Sequence, residues 1–363
     1  MGQTQSIKES FESWSLSFYG LFYTPRLLAL QGSSTYLLRF LGLEGQVITK
    51  SKLANALRDQ VQTWHSKLGA GVDDVEVVGI DFTNLVNVVF ADVMLSCQAT
   101  NTDYLLAKRE YLDRDSKPLF TSMWSGAVYK LLTTSYDKVG ERFRFVDIGS
   151  GELKYFSVMN AKSDGTFASE GQDGSADGEK FMDLVSGFCG DTVEVSQIIE
   201  FLRQGDDGPI YGVASETMRN LYDEFPEKMG ELISGLTAQD IHISILTAAE
   251  EAEYESIAVR NAIRMCSDAP SEVSTMELVG NLAWGNGSVQ GRNSNKVGLS
   301  YAPVGLKTLK TILEDRISKG IYPGVEVVGE GRKQKVFFPD STTLNSVILG
   351  LRTVLLEKLP SNM

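Results

Sequence analysis

The chain has 363 residues, of which 42% are hydrophobic and 22% charged, and carries a formal net charge of -13 with a pI near 4.8. That composition excludes a disordered chain, and the length exceeds what one hydrophobic core sustains, so two or more lobes are expected. The acidic balance, with no Lys/Arg cluster to offset it, repels a phosphate backbone and excludes nucleic acid as a partner. Three widely spaced cysteines, Cys97, Cys189 and Cys266, offer no disulfide framework and point to a reducing compartment, the cytoplasm. With only His65 and His242 in the chain, a histidine-rich zinc site or a Ser-His-Asp triad has almost nothing to draw on.

The N-terminus reads Met-Gly-Gln-Thr-Gln-Ser, which matches a myristoylation signal with Gly2 as acceptor and Ser6 at the favoured position. One acyl chain binds a membrane marginally, so weak association with a cytosolic membrane face needs a second signal. The aromatic stretch Trp14, Phe18, Tyr19, Leu21, Phe22 and Tyr23 supplies either that interfacial face or a helix packed on the rest of the protein. No run of about 18 apolar residues predicts a membrane span. Residues 1 to 140 carry no recognisable motif and read as an N-terminal α/β region facing a membrane or partner. Helical spacing is visible over Ser51 to Leu68 and Pro118 to Tyr136. Between them, Val75 to Cys97 predicts two β-rich runs about a turn near Thr83 and Asn84, with Gly79 to Thr83 part of a buried hairpin.

Asp164 to Gly178 is rich in Gly, Ser and Asp and predicts an exposed loop. From residue 141 on, strands and helices alternate. Strands are predicted at 143–149, 152–160, 209–214, 241–246, 276–283, 297–302 and 324–328. Helices are predicted near 179–203, 215–234, 247–265, 304–318 and 341–358. Such alternation, opened by a hairpin, predicts mixed-sheet α/β lobes.

Four segments carry chemistry. FVDIGSGELKYFSV places Asp147 at a strand end and turns through Gly149, Ser150 and Gly151 into a second strand. Glycines there let successive backbone N–H groups converge on an anion, and a strand-end aspartate can hold hydrated Mg²⁺ or Ca²⁺ against the same phosphate. NLAWGNGSVQG repeats this grammar with Gly285, Asn286, Gly287 and Ser288, followed by Gln290. Between them, Ser215 stands at the predicted N-cap of a helix with Arg219 one turn in, a natural anion contact. A further helix carries Glu250 and Glu251 in its first turn, where acids also complement the helix dipole.

In their order and spacing, these segments resemble the conserved regions of the GDA1/CD39 nucleoside-triphosphate diphosphohydrolases, the apyrases, and their exopolyphosphatase relatives. Asp147 to Lys154 matches Asp-x-Gly-Ser, and Ala214 to Arg219 matches Ala-Thr-Ala-x-Met-Arg. Ser244 to Val259 spans Gly-x-Glu-Glu, and Gly280 to Gln290 matches Asp-Leu-Gly-Gly-x-Ser-x-Gln. The resemblance covers about residues 140 to 335, and the cytosolic exopolyphosphatase-like members fit the cysteine content better. It implies an α/β fold of two actin-like, ribonuclease H-like lobes with a central cleft over residues 141–363, beside the N-terminal region. It also implies metal-dependent hydrolysis of phosphoanhydride bonds in a nucleotide or polyphosphate by an attacking water. One of Glu250 and Glu251 would be the general base and Asp147 would face a divalent cation. Gly149, Ser150, Gly151, Ser215, Arg219, Gly285, Asn286, Gly287, Ser288 and Gln290 would bind phosphate.

Four positions depart from that pattern. Ala283 stands where the fourth region has its aspartate, leaving the metal site short of a carboxylate, and Glu152 puts an acid beside the first loop. Glu216 replaces a small residue and Ala248 a glycine. These substitutions keep a second reading open, a catalytically degraded actin-like pseudoenzyme that acts as a nucleotide-binding or scaffold protein.

Overall fold

The computed structural model describes residues 26–32, 34–43, 47–69, 79–97, 104–106, 110–112, 118–120, 122–134, 142–149, 151–169, 172–265, 276–293, 299–329 and 334–359. Gly2, the aromatic stretch from Trp14 to Tyr23, and Ser150 lie outside the described residues. The chain begins with β1 (Arg26–Gly32), α1 (Ser34–Phe40), β2 (Val47–Thr49), α2 (Lys50–Gly69), β3 (Ile80–Asp81), α3 (Phe82–Cys97) and β4 (Tyr104–Leu106). The short pair β5 (Glu110–Leu112) and β6 (Pro118–Phe120) leads to α4 (Met123–Thr134). Next come β7 (Arg142–Ile148), β8 (Glu152–Met159), β9 (Gln172–Asp177), α5 (Gly178–Cys189), α6 (Val195–Arg203), β10 (Ile210–Ala214), α7 (Glu216–Glu224), α8 (Pro226–Thr237), β11 (Ile241–Ile245) and α9 (Ala248–Met265). The last elements are β12 (Glu277–Trp284), β13 (Val289–Asn293), β14 (Leu299–Ala302), α10 (Leu306–Ser318), β15 (Glu326–Val328), β16 (Lys335–Phe337) and α11 (Ser341–Lys358).

Two mixed sheets share one strand order. The first runs β9-β8-β7-β10-β11, with β7, β8 and β9 antiparallel and β10 and β11 parallel to β7. The second runs β14-β13-β12-β1-β4-β2, in which β12, β13 and β14 are antiparallel and β1 and β4 extend the sheet in parallel from β12. Counted from the strand that opens each antiparallel trio, both read 3-2-1-4-5, the ribonuclease H-like arrangement of actin-like lobes. The α/β two-lobed fold expected from the sequence is therefore present. The fourth and fifth strands of the second sheet, however, precede the whole first sheet in the chain. The boundary expected near residue 140 is crossed by seven register pairs between β1 and β12, Arg26↔Glu277 through Gly32↔Trp284, so residues before 140 complete a lobe.

Strand alternation sorts the side chains into layers. On the first sheet, Val146, Ile148, Leu153 and Tyr155 turn outward to α5–α8, with Phe181, Ile198, Met218 and Leu232 closing that core. Phe143, Phe145, Phe156 and Val158 turn inward onto Trp124, Val128 and Leu132 of α4. On the second sheet, Leu28, Leu30, Leu282 and Trp284 face α1–α3, α10 and α11. Leu27 and Ala29 face Val259 and Ala262 of α9. Helices α4 and α9 thus lie between the two sheets and cross so tightly at Gly126 that a β-carbon there would stand 1.8 Å from the Tyr254 carbonyl oxygen.

Several elements differ from the sequence reading for identifiable reasons. Of the run predicted over Val75 to Cys97, the described residues from Gly79 on form one helix after a two-residue strand, not a second strand after a turn at Thr83. Leu85, Val86, Val88, Val89, Phe90 and Val93 are each at most 2% exposed, and a helix buried over most of its surface shows too narrow a polar face to betray its period. Asp81 instead receives the backbone N–H of Asn84 at 3.0 Å and starts that helix. The predicted loop of 164–178 contains β9, an edge strand paired to β8. Two predicted long helices are each broken in two, one at Gly190 and left-handed Asp191 and one at Phe225 before Pro226.

Candidate active site

The two glycine turns are closed in the same way. In the first, β7 pairs with β8 to the end, Ile148↔Leu153, and the Gly149 N–H donates to the Glu152 carbonyl at 3.1 Å. In the second, Trp284↔Val289 closes the ladder and the Gly285 N–H donates to the Ser288 carbonyl at 2.9 Å. Asp147 and Ala283 thereby occupy equivalent places, one residue before the last ladder position. Alternation puts both on the inner faces, towards α9, with Asp147 on the face of Phe143 and Phe145. Gly178, opening α5, is wedged against the first turn, since a β-carbon there would lie 2.4 Å from the Glu152 nitrogen and 2.7 Å from the Gly149 oxygen.

The adjacent acids Glu250 and Glu251 have separate surroundings. The Thr247 backbone N–H and Oγ1 both donate to Glu250 Oε2 at 2.8 Å, and the Glu250 N–H donates to Thr247 Oγ1 at 3.2 Å. This reciprocal capping box starts α9 and occupies an exposed carboxylate. Glu251 is buried, with Arg219 3.5 Å from its Oε2. Arg219 also donates to the Leu246 carbonyl and shares a hydrogen bond with Tyr301 of β14, so the guanidinium joins α7 to the second sheet. Burial pushes the Glu251 carboxyl up to about 7. Arg219 opposes the shift, while the charges of Asp147 and Glu216 add to it.

One turn further along α9, Glu255 is fully buried. Its carboxylate accepts from Gln290 Nε2 at 3.3 Å and from Asn281 Nδ2 at 3.2 Å. Gln31 completes the cluster, accepting from Asn281 at 3.2 Å and donating to the Glu255 carbonyl at 3.3 Å. Burial raises the Glu255 carboxyl to about 8, helped by the neighbouring charge of Glu251 and that of Asp147 and opposed by the Gln290 hydrogen bond. Buried Asn281 Oδ1 and Gln290 Oε1 have no hydrogen-bond partner among the described residues.

Most of the sequence candidates converge on this cleft. Asp147, Arg219 and Glu251 meet through their mutual electrostatics. Ser215 stands at the N-cap of α7, with its N–H on the Ile148 carbonyl at 3.4 Å and no side-chain cap bond. Gly149, Gly151, Gly285, Asn286, Gly287 and Ser288 form the two turns. Gln290, expected to contact phosphate, turns its amide to Glu255 instead. Glu255, Asn281, Gln31 and Tyr301 were not singled out by sequence. The i, i+4 spacing of Glu251 and Glu255 puts them on one helix face, whereas nothing local marks Gln31 at the end of an apolar strand.

The donor set does not make a metal cage. Among the described residues no three His, Cys, Asp or Glu side chains converge as metal ligands, and the place equivalent to Asp147 is the buried Ala283. The expected Mg²⁺ or Ca²⁺ at Asp147 thus gains no support from geometry. No helix of the described residues is long and apolar enough to cross a membrane.

Fold and cleft together define a two-lobed actin-like protein with an acidic, arginine-bridged site between its two glycine turns. No family model matches the chain, and no curated protein matches it. Among solved structures it is similar to the Aquifex aeolicus PPX-GPPA enzyme, at 13% identity and a TM-score of 0.30, covering 49% of this chain and 60% of that one. It is also similar to an exopolyphosphatase from Cytophaga hutchinsonii, at 13% identity and a TM-score of 0.31, covering 60% and 63%. The chain spans less than two thirds of either relative's length. The fold assignment rests on the strand order itself.

Proposed function

We propose that the cleft hydrolyses a phosphoanhydride bond in a nucleoside di- or triphosphate or a short polyphosphate. The observation that carries this reading is Glu251: a buried carboxylate raised to about 7, paired with Arg219 and electrostatically coupled to Asp147 at the first phosphate turn. A base with that affinity for protons is matched to neutral pH. It takes a proton from water as the water oxygen bonds to the terminal phosphorus. The bridging P–O bond breaks and the shortened phosphate chain leaves. Arg219 offsets the charge that accumulates on phosphoryl oxygens, and the backbone N–H of Gly151 in the first turn receives one of them. Glu250 belongs to the start of α9 and takes no part. A cation that enters bound to the substrate phosphates is part of the substrate in this reading.

A second reading, an anion-binding protein without turnover, is favoured by Ala283 at the position equivalent to Asp147. Phosphate release from ATP, ADP, GTP and tripolyphosphate, with Mg²⁺, with Ca²⁺ and with EDTA, separates the two. Hydrolysis predicts release by the wild type that falls at least a hundredfold in Glu251→Gln. Ligand-induced thermal stabilisation without release favours the binding protein.

A further inference from the structure

Glu216 opens α7 on the first lobe, yet its carboxylate reaches the turn of the second. A β-carbon at Gly287 would lie 1.9 Å from Glu216 Oε2 and 2.9 Å from its carboxyl carbon, so the acid lies directly against the glycine of the Gly285–Ser288 turn. That turn has the features of an anion receptor. Its carbonyls at Gly285 and Asn286 are taken by the N–H groups of Leu306 and Lys307, at 3.0 and 2.9 Å, which fixes the loop to the start of α10. Among the described residues nothing accepts from the backbone N–H of Asn286, Gly287 or Ser288. Consecutive amides in a glycine turn form a concavity suited to phosphate. The negative group already beside it is a side chain of the protein itself.

We propose that Glu216 is a built-in competitor for the second phosphate turn, its carboxylate standing where a second or third phosphoryl group of a substrate would sit. The inference rests on the phosphate-handling reading above and deepens it, since it assigns Glu216 the selection of chain length. With Glu216 in place, the cleft takes the terminal phosphoryl group at the Asp147 turn and binds less tightly any chain that spans both turns. Like-charge repulsion in a partly buried cleft gives this selection its strength. Tyr301 of the second sheet feels the charge of the same carboxylate.

The test is calorimetric binding of imidotriphosphate, which resists hydrolysis, and of inorganic phosphate, to wild type, Glu216→Ala and Glu216→Gln. Glu216→Ala is expected to bind imidotriphosphate at least tenfold tighter than wild type, with phosphate affinity changed less than threefold. Glu216→Gln, which removes charge and keeps size, is expected to tighten imidotriphosphate at least threefold, and it carries the test if the alanine variant does not fold. Affinity for imidotriphosphate within twofold of wild type in both variants, or equal gains for phosphate and imidotriphosphate, overturns the proposal. If the selective tightening is found and no variant releases phosphate from tripolyphosphate, only the hydrolase reading falls. If phosphate is released and no tightening is found, only this proposal falls.

Discussion

The Thr247 hydroxyl and N–H both end on Glu250, whereas Glu251 is buried. Replacing Glu250 by Gln is expected to cost about 0.5–1 kcal/mol through the capping box and to leave phosphate release within a factor of about three of wild type, as read by thermal unfolding and a phosphate assay. The place of both glutamates in a first helical turn was legible in the sequence. The burial that distinguishes the second glutamate was not, because it depends on where Arg219 and the second sheet come to rest. Glu255 gives a signed pH prediction. Its folded-state carboxyl is raised to about 8 from an ordinary value near 4.5, so the folded protein holds the proton more tightly than the unfolded chain. The contribution is favourable below about 4.5 and is lost as pH rises through about 8. Wild type should therefore lose stability from pH 5 to 8.5, by on the order of 3 kcal/mol. Glu255→Gln, which cannot ionise, should flatten that profile, and melting curves across the range check it. An unchanged slope in the variant would assign the pH dependence elsewhere.

Among the elements, α4 and α9 decide how the two sheets meet. Their crossing at Gly126 leaves no room for a side chain against the Tyr254 carbonyl. Gly126→Val is expected to destabilise by about 2–3 kcal/mol or more through overpacking, measured by denaturant unfolding. Gly178 acts more locally: Gly178→Ala presses on the Gly149–Glu152 turn and should reduce phosphate release at least tenfold while the far-ultraviolet spectrum stays native. The strands carrying both turns were legible because each ends in a glycine run after alternating apolar residues. α3 was not. Its sequence LVNVVFADVMLSC is apolar over most of its surface, and its polar Asn87 is spent on the Trp284 ring N–H at 3.0 Å, a partner 197 residues away.

At the scale of the molecule, the second lobe is assembled from both ends of the chain. β1 and β4 enter its sheet from before residue 107, and β12, β13 and β14 enter from after residue 276. No sequence pattern announces this, since β1 reads as an isolated apolar strand and its partner β12 lies some 250 positions on. A fragment of residues 141–363 would leave β12 as an open edge and expose the inner face that Leu27 and Ala29 cover. It is expected to lack a cooperative unfolding transition, and co-expression with residues 1–140 is expected to restore one. Cooperative unfolding of the fragment alone would show that the boundary near 140 is a true domain limit. The most direct measurement of chemistry in the cleft between the lobes is the pH dependence of phosphate release from tripolyphosphate by wild type and Glu251→Gln. Release is expected to rise through an apparent pKa near 7 in wild type and to fall at least a hundredfold in the variant. Equal release by the two proteins, or none by the wild type at any pH, would contradict the hydrolase reading.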